Sequence, residues 1–211
     1  REFMFACNAV NVEKIRDWLT RQAEKGTKVE NITSSTIMFA LQGPRAQDVL
    51  QRLIGFELSK LKRYGATFVG IAGIRVLVSR SGYTGEDGFE LFLFDEPASN
   101  PVRGERLWNT ILSAGEGANI KPCGIGARDT ARLEAGLCLY GQELTEEITP
   151  LEARIDHAIE FDKGDFIGRE ALLEQKAAGL KRARIGLRML EPGVPRQGYR
   201  LLEDGQEVGS V

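Results

Sequence analysis

Residues 67–94 read TFVGIAGIRVLVSRSGYTGEDGFELFLF, and this stretch decides the fold. Phe68-Val69-Gly70-Ile71 and Ile74-Arg75-Val76-Leu77-Val78 are β-compatible runs separated by Ala72-Gly73, the spacing of a β-hairpin. After the glycine-rich stretch Ser81–Gly88, Phe89-Glu90-Leu91-Phe92-Leu93-Phe94 reads as another strand. Period-two alternation puts Glu90 on one face with Phe92 and Phe94 and points it inward. A carboxylate among such neighbours is costly unless something pairs with it. Glycines at 82, 85 and 88 let the backbone turn tightly and come close to a ligand. The stretch is not a Walker loop, because no Lys-Ser/Thr follows. It fails the dinucleotide fingerprint because a strand follows where a helix is required. Glycine alone favours a structural turn here. Tyr83, a ring to stack on, and Glu90, a carboxylate in a strand, turn the reading towards a heteroaromatic ligand.

Outward from this core, Ile15, Trp18, Leu19 and Gln22 at i, i+3, i+4, i+7 predict an amphipathic helix over 11–25, with Asn11 as N-cap and Gly26 beyond it. Residues 36–41 read as a buried strand. Gly43-Pro44 opens a helix with Ala46, Val49, Leu50 and Leu53 on one face. Asp95–Gly104 reads as a loop, followed by helices over 105–115, 126–136 and 170–177. Ala127, Ala131 and Ala135 form a small-residue stripe that predicts close helix packing. Residues 2–7, 158–161 and 184–190 read as short strands, and Asp204-Gly205 turns a hairpin over 199–211. The fold class is α+β, with mixed or antiparallel sheets and packed helices. Residues 178–182 read as a linker, dividing a domain over 1–180 from the beginning of a β domain over 181–211. Both termini look abrupt, and the expectation is an internal piece of a longer chain.

Composition excludes several classes of function. The chain has 211 residues, 42% hydrophobic and 27% charged, as in a packed soluble protein. Lys plus Arg number 28 against 30 Asp plus Glu, a net charge of −2 that gives no field for gripping nucleic acid. The three cysteines form no C-x-x-C and point to a reducing compartment, so the expected location is cytoplasmic. One histidine leaves little for a zinc site or a Ser-His-Asp triad, and no metal is expected. No apolar stretch is long enough to span a bilayer, so no membrane is expected either.

Two further clusters could carry chemistry. In Lys121–Gly136, Arg128 and Arg132 share a helical face with Ala135. Arg128 stands near the helix N-terminus, where the dipole disfavours a cation. It is either a partner for Glu90, a contact for an anionic ligand, or part of a surface salt-bridge lattice. In Gly136–Leu144, Tyr140 either lines a pocket or plugs the core. Cys7, Cys123 and Cys138 read as small buried hydrophobes, and His157 as structural.

The ordered words Ser81-Gly-Tyr-Thr-Gly-Glu-Asp-Gly-Phe-Glu90, Lys121-Pro-Cys-Gly-Ile-Gly-Ala-Arg-Asp129, Arg132-Leu-Glu-Ala-Gly136, Leu139-Tyr-Gly-Gln-Glu143 and Asp165-Phe-Ile-Gly-Arg-Glu170 resemble one family. It is the T-protein family of the glycine cleavage system, the tetrahydrofolate-dependent aminomethyltransferases. The resemblance implies a folate-binding domain over 1–180, followed by the start of a C-terminal β-barrel domain over 181–211. It implies transfer of a methylene carbon from the aminomethyl-dihydrolipoyl arm of H-protein to tetrahydrofolate, with release of ammonia. By the same resemblance Glu90 would hydrogen-bond the pterin, Tyr83 would lie beside it, and Arg128 and Asn8 would contact the folate. The catalytic aspartate of the family falls upstream of Arg1 and a further folate-contacting arginine falls beyond Val211. The 211 residues alone are therefore expected to be inactive. Tetrahydrofolate is the expected co-substrate and lipoylated H-protein the expected partner. The alternatives are a folate-dependent relative of the same fold, either a demethylase or an iron–sulfur-assembly protein, and a nucleotide-binding domain using Gly82–Gly88 as a phosphate loop.

Overall fold

A computed structural model describes residues 2–211. By its internal contacts the chain forms two compact units, residues 1–137 and 138–211.

The first unit is built on an antiparallel sheet of β1 (Thr36–Gln42), β2 (Ala66–Ile71), β3 (Ile74–Ser79) and β4 (Gly88–Phe94), in the order β1-β4-β3-β2. The expected hairpin turns at Ala72 and Gly73, with φ of 49° and 77°. These paired left-handed residues match the twist of two-residue hairpin loops. Alternation divides the sheet into two faces. Leu41, Ile71, Ile74, Val76, Val78, Phe89, Leu91 and Leu93 are buried on one face in a single hydrophobic cluster. Each fully buried Leu or Phe there contributes about 1.5–3 kcal/mol. Helix α2 (Ala46–Gln51) closes this face with Ala46, Val49 and Leu50. Helix α3 (Val102–Gly115) adds Leu107 and Ile111, and its Trp108 ring lies 5.4 Å from that of Phe39.

The other face carries Met38 opposite Phe92, Ala40 opposite Glu90, and Ser79 opposite Glu90 on the far side. Strand β1 is therefore half-buried rather than buried as expected, with Met38 exposed.

Helix α3 begins at Val102, inside the expected loop. The Glu96 carboxylate accepts from the backbone N–H groups of Arg103 (2.5 Å) and Gly104 (3.3 Å), and from Arg103 Nε (2.5 Å). Gly104 is there for close packing: a Cβ would stand 2.7 Å from Ile37 Cδ1. Helix α1 (Val12–Gln22) forms as expected but buries no residue, and Asn11 makes no side-chain cap. Residues 2–7 form no strand and are exposed. A strand requires a neighbouring edge, and these residues have none among the described residues. Helix α4 (Ile125–Glu134) also forms, yet Ala127 and Ala135 are exposed, so the stripe does not mark helix–helix packing.

In the second unit, Glu152 organises the chain around residues 149–154. It accepts from Thr149 N (2.9 Å) and Oγ1 (3.2 Å) and from Arg182 Nε (2.9 Å), while Arg184 Nε donates to Ala153 O (2.9 Å). Helix α5 (Arg169–Ala178) follows Gly168, whose φ is 93°. Residues 184–190 and 158–161 form no strand; Arg184 instead donates to Ala153 O, and Ala158 closes a 3-10 turn over Asp156–Ala158. Strands β5 (Arg200–Glu203) and β6 (Gln206–Ser210) make the expected hairpin, turning at Asp204 and Gly205. Among the described residues no helix is long and apolar enough to cross a membrane.

Candidate functional site

The loop from Arg80 to Gly88 is fixed at both ends. Arg80 Nε donates to Asp87 Oδ1 at 3.0 Å and Nη2 to Asp87 Oδ2 at 2.6 Å, a bidentate pair across the loop mouth. The same guanidinium reaches Gln47 Oε1 (2.9 Å) and the carbonyls of Leu58 and Leu61 (both 3.2 Å). Its carbon stands 5.5 Å from the Phe89 ring centroid. The Arg80 hydrogen bonds hold the Asp87 carboxyl below its ordinary range against the opposing effect of burial, and Asp87 in turn raises the pKa of Arg80. On the backbone, Gly43 N–H donates to Asp87 O, and Tyr64 N–H donates to Arg80 O (both 2.9 Å).

Gln42, the last residue of β1, fills the space beneath the loop. Its Nε2 donates to Ser81 O (3.0 Å) and Phe89 O (3.3 Å), and its Oε1 accepts from Thr84 Oγ1 (3.1 Å). A Cβ at Gly82 or Gly88 would fall 1.9 or 2.5 Å from the Gln42 side chain. The flexible end of Gln42 could swing away, but only by breaking those bonds. Gly85 has two constraints: φ of +79°, and a hypothetical Cβ 2.5 Å from Ala135 Cβ after α4. The glycine spacing is thus structural, and it brings the loop tip against α4.

Above this base lies Glu90, half-buried on the open face of β4. Ser81 Oγ is 2.5 Å from Glu90 Oε2 and 2.9 Å from Ser79 Oγ. On the other side Ala40 offers only a methyl group. Glu90 is therefore paired, as its surroundings demand, but by a hydroxyl rather than a cation. Arg128 does not meet it. Its guanidinium carbon instead lies 4.9 Å from the Tyr83 ring centroid, joining α4 to the loop by a cation–π contact. Arg132 is the buried arginine of that helix, with Nε 2.8 Å from Asp129 Oδ1 and Nη1 3.3 Å from Leu137 O.

Asn8 is exposed and precedes a 3-10 turn, Ala9–Asn11, in which its carbonyl accepts from Asn11 N–H (2.9 Å). Among the described residues it makes no hydrogen bond to Glu90, Tyr83 or Arg128. Cys7 and Cys123 are exposed and Cys138 half-buried, contrary to the expectation of buried thiols. The first two belong to segments that no apolar layer covers. Two open hollows, of about 410 and 330 Å³, lie at the β2–β3 hairpin and at Leu112–Pro122, and neither is lined by Glu90, Tyr83 or Arg128. In the second unit Tyr140 bridges to Leu144, and Glu143 Oε2 accepts from Leu139 N–H (2.9 Å). Among the described residues no group of three or more His, Cys, Asp or Glu is placed to hold a metal ion.

Sequence reasoning singled out Glu90 and Tyr83 but not the surrounding hydrogen-bond partners Ser81, Gln42, Arg80 and Asp87. Arg80 and Asp87 were detectable as opposite charges bracketing a glycine run. Gln42 depends on the β1–β4 register, which no local pattern encodes.

A family model for the GCVT N-terminal domain matches residues 1–163. This chain belongs to that family. It is 46% identical over 211 residues to an aminomethyltransferase of Caldanaerobacter subterraneus subsp. tengcongensis, covering 99% of this chain and 55% of the relative. To an aminomethyltransferase of Desulforamulus reducens it is 43% identical, covering 100% of this chain and 56% of the relative. Its fold matches the crystal structure of glycine cleavage system aminomethyltransferase T from Bartonella henselae with a TM-score of 0.78 and 32% identity, over 96% of this chain and 53% of that one. The chain spans about half the length of the curated relatives it matches.

Proposed function

We propose that this GCVT-family chain carries the pterin-reading part of an aminomethyltransferase of the glycine cleavage system. The reaction moves the methylene carbon of an aminomethyl group, carried on the dihydrolipoyl arm of H-protein, to tetrahydrofolate. Ammonia leaves and the dihydrolipoyl thiol is regained. The observation that carries the reading is the half-buried Glu90 carboxylate on the sheet face, bonded through Oε2 to Ser81 at the start of the loop that also carries Tyr83. A pterin edge presents adjacent N–H donors, and a carboxylate can accept two of them in parallel and reject rings that lack them. Ser81 engages Oε2 and leaves Oε1 and a lone pair of Oε2 for such an edge.

The folate supplies the nucleophilic nitrogens that take the carbon. This chain's residues bind and orient. Glu90 accepts the pterin edge, Tyr83 gives an aromatic face, and Arg128 braces that ring while offering a cation to the folate's anionic end. Asn8 is assigned to the folate cavity on the family resemblance alone. The catalytic aspartate is assigned outside residues 1–211. The β5–β6 hairpin supports reading residues 181–211 as the beginning of a β-barrel domain. The free thiols support a cytoplasmic location.

The test is methylenetetrahydrofolate formation by the intact gene product from aminomethyl-loaded H-protein, comparing wild type with Glu90→Ala. Turnover by wild type, lost in the variant chiefly through a raised KM for folate, is the expected result. Folate binding without turnover would make the protein a folate-dependent relative instead, and indifference to folate would return the loop to a structural turn.

A further inference from the structure

Ser81 belongs to no strand, yet its backbone and side chain are both held. Its carbonyl shares the Gln42 amide with the carbonyl of Phe89, the residue before Glu90, at 3.0 and 3.3 Å. One side chain thus fixes the spacing between the Ser81 and Glu90 backbones. The hydroxyl of Ser81 then stands 2.5 Å from Glu90 Oε2 and 2.9 Å from Ser79 Oγ. An ionised carboxylate can only accept, so the Ser81 proton goes to Glu90 and the Ser79 proton goes to Ser81. The result is a directed relay, Ser79 to Ser81 to Glu90, ending in a charge-assisted bond of the short class.

The terminal torsion of a glutamate is broad, and its carboxylate plane is set by what it bonds to. On the β1 side Ala40 supplies no polar group. Among the described residues the Ser81 hydroxyl is the side-chain donor to this carboxylate.

We propose that Ser81 is the positioning residue for Glu90, holding the carboxylate plane in the orientation that receives the two parallel donors of a pterin edge. The proposal rests on the reading of Glu90 given above. It differs from a general structural role because the effect of Ser81 on binding must pass through the Glu90 carboxylate. Pre-setting that plane removes an ordering cost from the binding step. A hydrogen bond to a charged group is in the range that gives about tenfold in affinity or somewhat more.

The experiment measures tetrahydrofolate affinity of the intact gene product by anaerobic titration calorimetry in wild type, Ser81→Ala, Ser81→Thr, Glu90→Gln and the Ser81→Ala/Glu90→Gln double variant. Ser81→Ala is expected to weaken binding about tenfold, and Ser81→Thr, which keeps a hydroxyl, to regain most of it. In the Glu90→Gln background Ser81→Ala is expected to cost less than about twofold, because the group it positions has gone. A cost of equal size in both backgrounds would make Ser81 merely structural and overturn the proposal. So would wild-type affinity in Ser81→Ala while Glu90→Gln binds weakly. If Glu90→Gln binds as wild type does, the reading of Glu90 itself fails and the proposal falls with it.

Discussion

Glu90 and Arg128 sit in regions of opposite construction. Glu90 rises from the central part of an antiparallel sheet, with buried Phe89 and Leu91 on either side of it in β4. The loop facing it is closed by the Arg80–Asp87 pair and filled by Gln42. Arg128 extends from the first part of α4, where residues 125–130 are all exposed, and its guanidinium meets the Tyr83 ring. On the proposed reading, Glu90, which would align two parallel hydrogen bonds, is on the rigid element. On the same reading Arg128, which would supply charge acting over several ångströms without strict angles, is on the open one.

The contrast can be broken most severely at Arg80. Truncation to Ala leaves the carbonyls of Leu58 and Leu61, Gln47 and the Asp87 carboxylate without this donor. Asp87 is half-exposed, so water recovers part of the loss. The expected cost is about 2–3 kcal/mol in urea unfolding, with no change in slope. A cost below 0.5 kcal/mol would show that the loop does not need its clamp.

Gly85→Ala comes next. It combines a left-handed backbone with a Cβ 2.5 Å from Ala135. About 1–2 kcal/mol is expected, reduced where the exposed end of α4 gives way. Moving the clash rather than the backbone, Ala135→Gly in the Gly85→Ala background should recover part of that loss, separating strain from contact.

Acid sharpens the comparison further. Asp87 and Glu96 both titrate below their ordinary range. For Asp87 the principal cause is the Arg80 hydrogen bond; for Glu96, burial opposes ionisation but Arg103 and the N–H donors of α3 outweigh it. A folded pKa that is lowered gives stability present above the unfolded value and lost as pH falls through the folded one. Stability should therefore decline below about pH 4. Asp87→Asn and Glu96→Gln should each flatten that decline in denaturation curves taken from pH 6 downwards. The smallest effect falls on Arg128. Its replacement by Ala should cost about 0.5 kcal/mol of stability or less while still weakening folate affinity. A large loss of stability would mean that α4 depends on this residue.

Much of the sheet was legible because its evidence is local. The Ala72-Gly73 hairpin, the alternation that separates Phe89, Leu91 and Leu93 from Glu90, and the Asp204-Gly205 hairpin all follow from residues adjacent in sequence. What was misread depends on distant partners. Residues 2–7 and 184–190 have strand composition but no ladder. Gly104 looked like a loop residue because the closeness of Ile37 is invisible in sequence. The small-residue stripe of α4 looked like a packing seam between helices, yet Ala127 and Ala135 are exposed and Ala135 stands against the loop glycine Gly85. At the site, the residue types of Glu90, Tyr83 and Arg128 drew attention by themselves. Ser81 and Gln42 carry ordinary side chains, and their roles exist only through the strand register.

The central claim is that the Glu90 carboxylate reads the folate ring, and the most direct test is tetrahydrofolate binding by the intact gene product with Glu90 replaced by Gln. The substitution keeps size and one acceptor oxygen but puts an amide where two parallel acceptors stood. The account predicts a loss of affinity of about tenfold to a hundredfold with unfolding stability within about 1 kcal/mol of wild type. Unchanged affinity would contradict it.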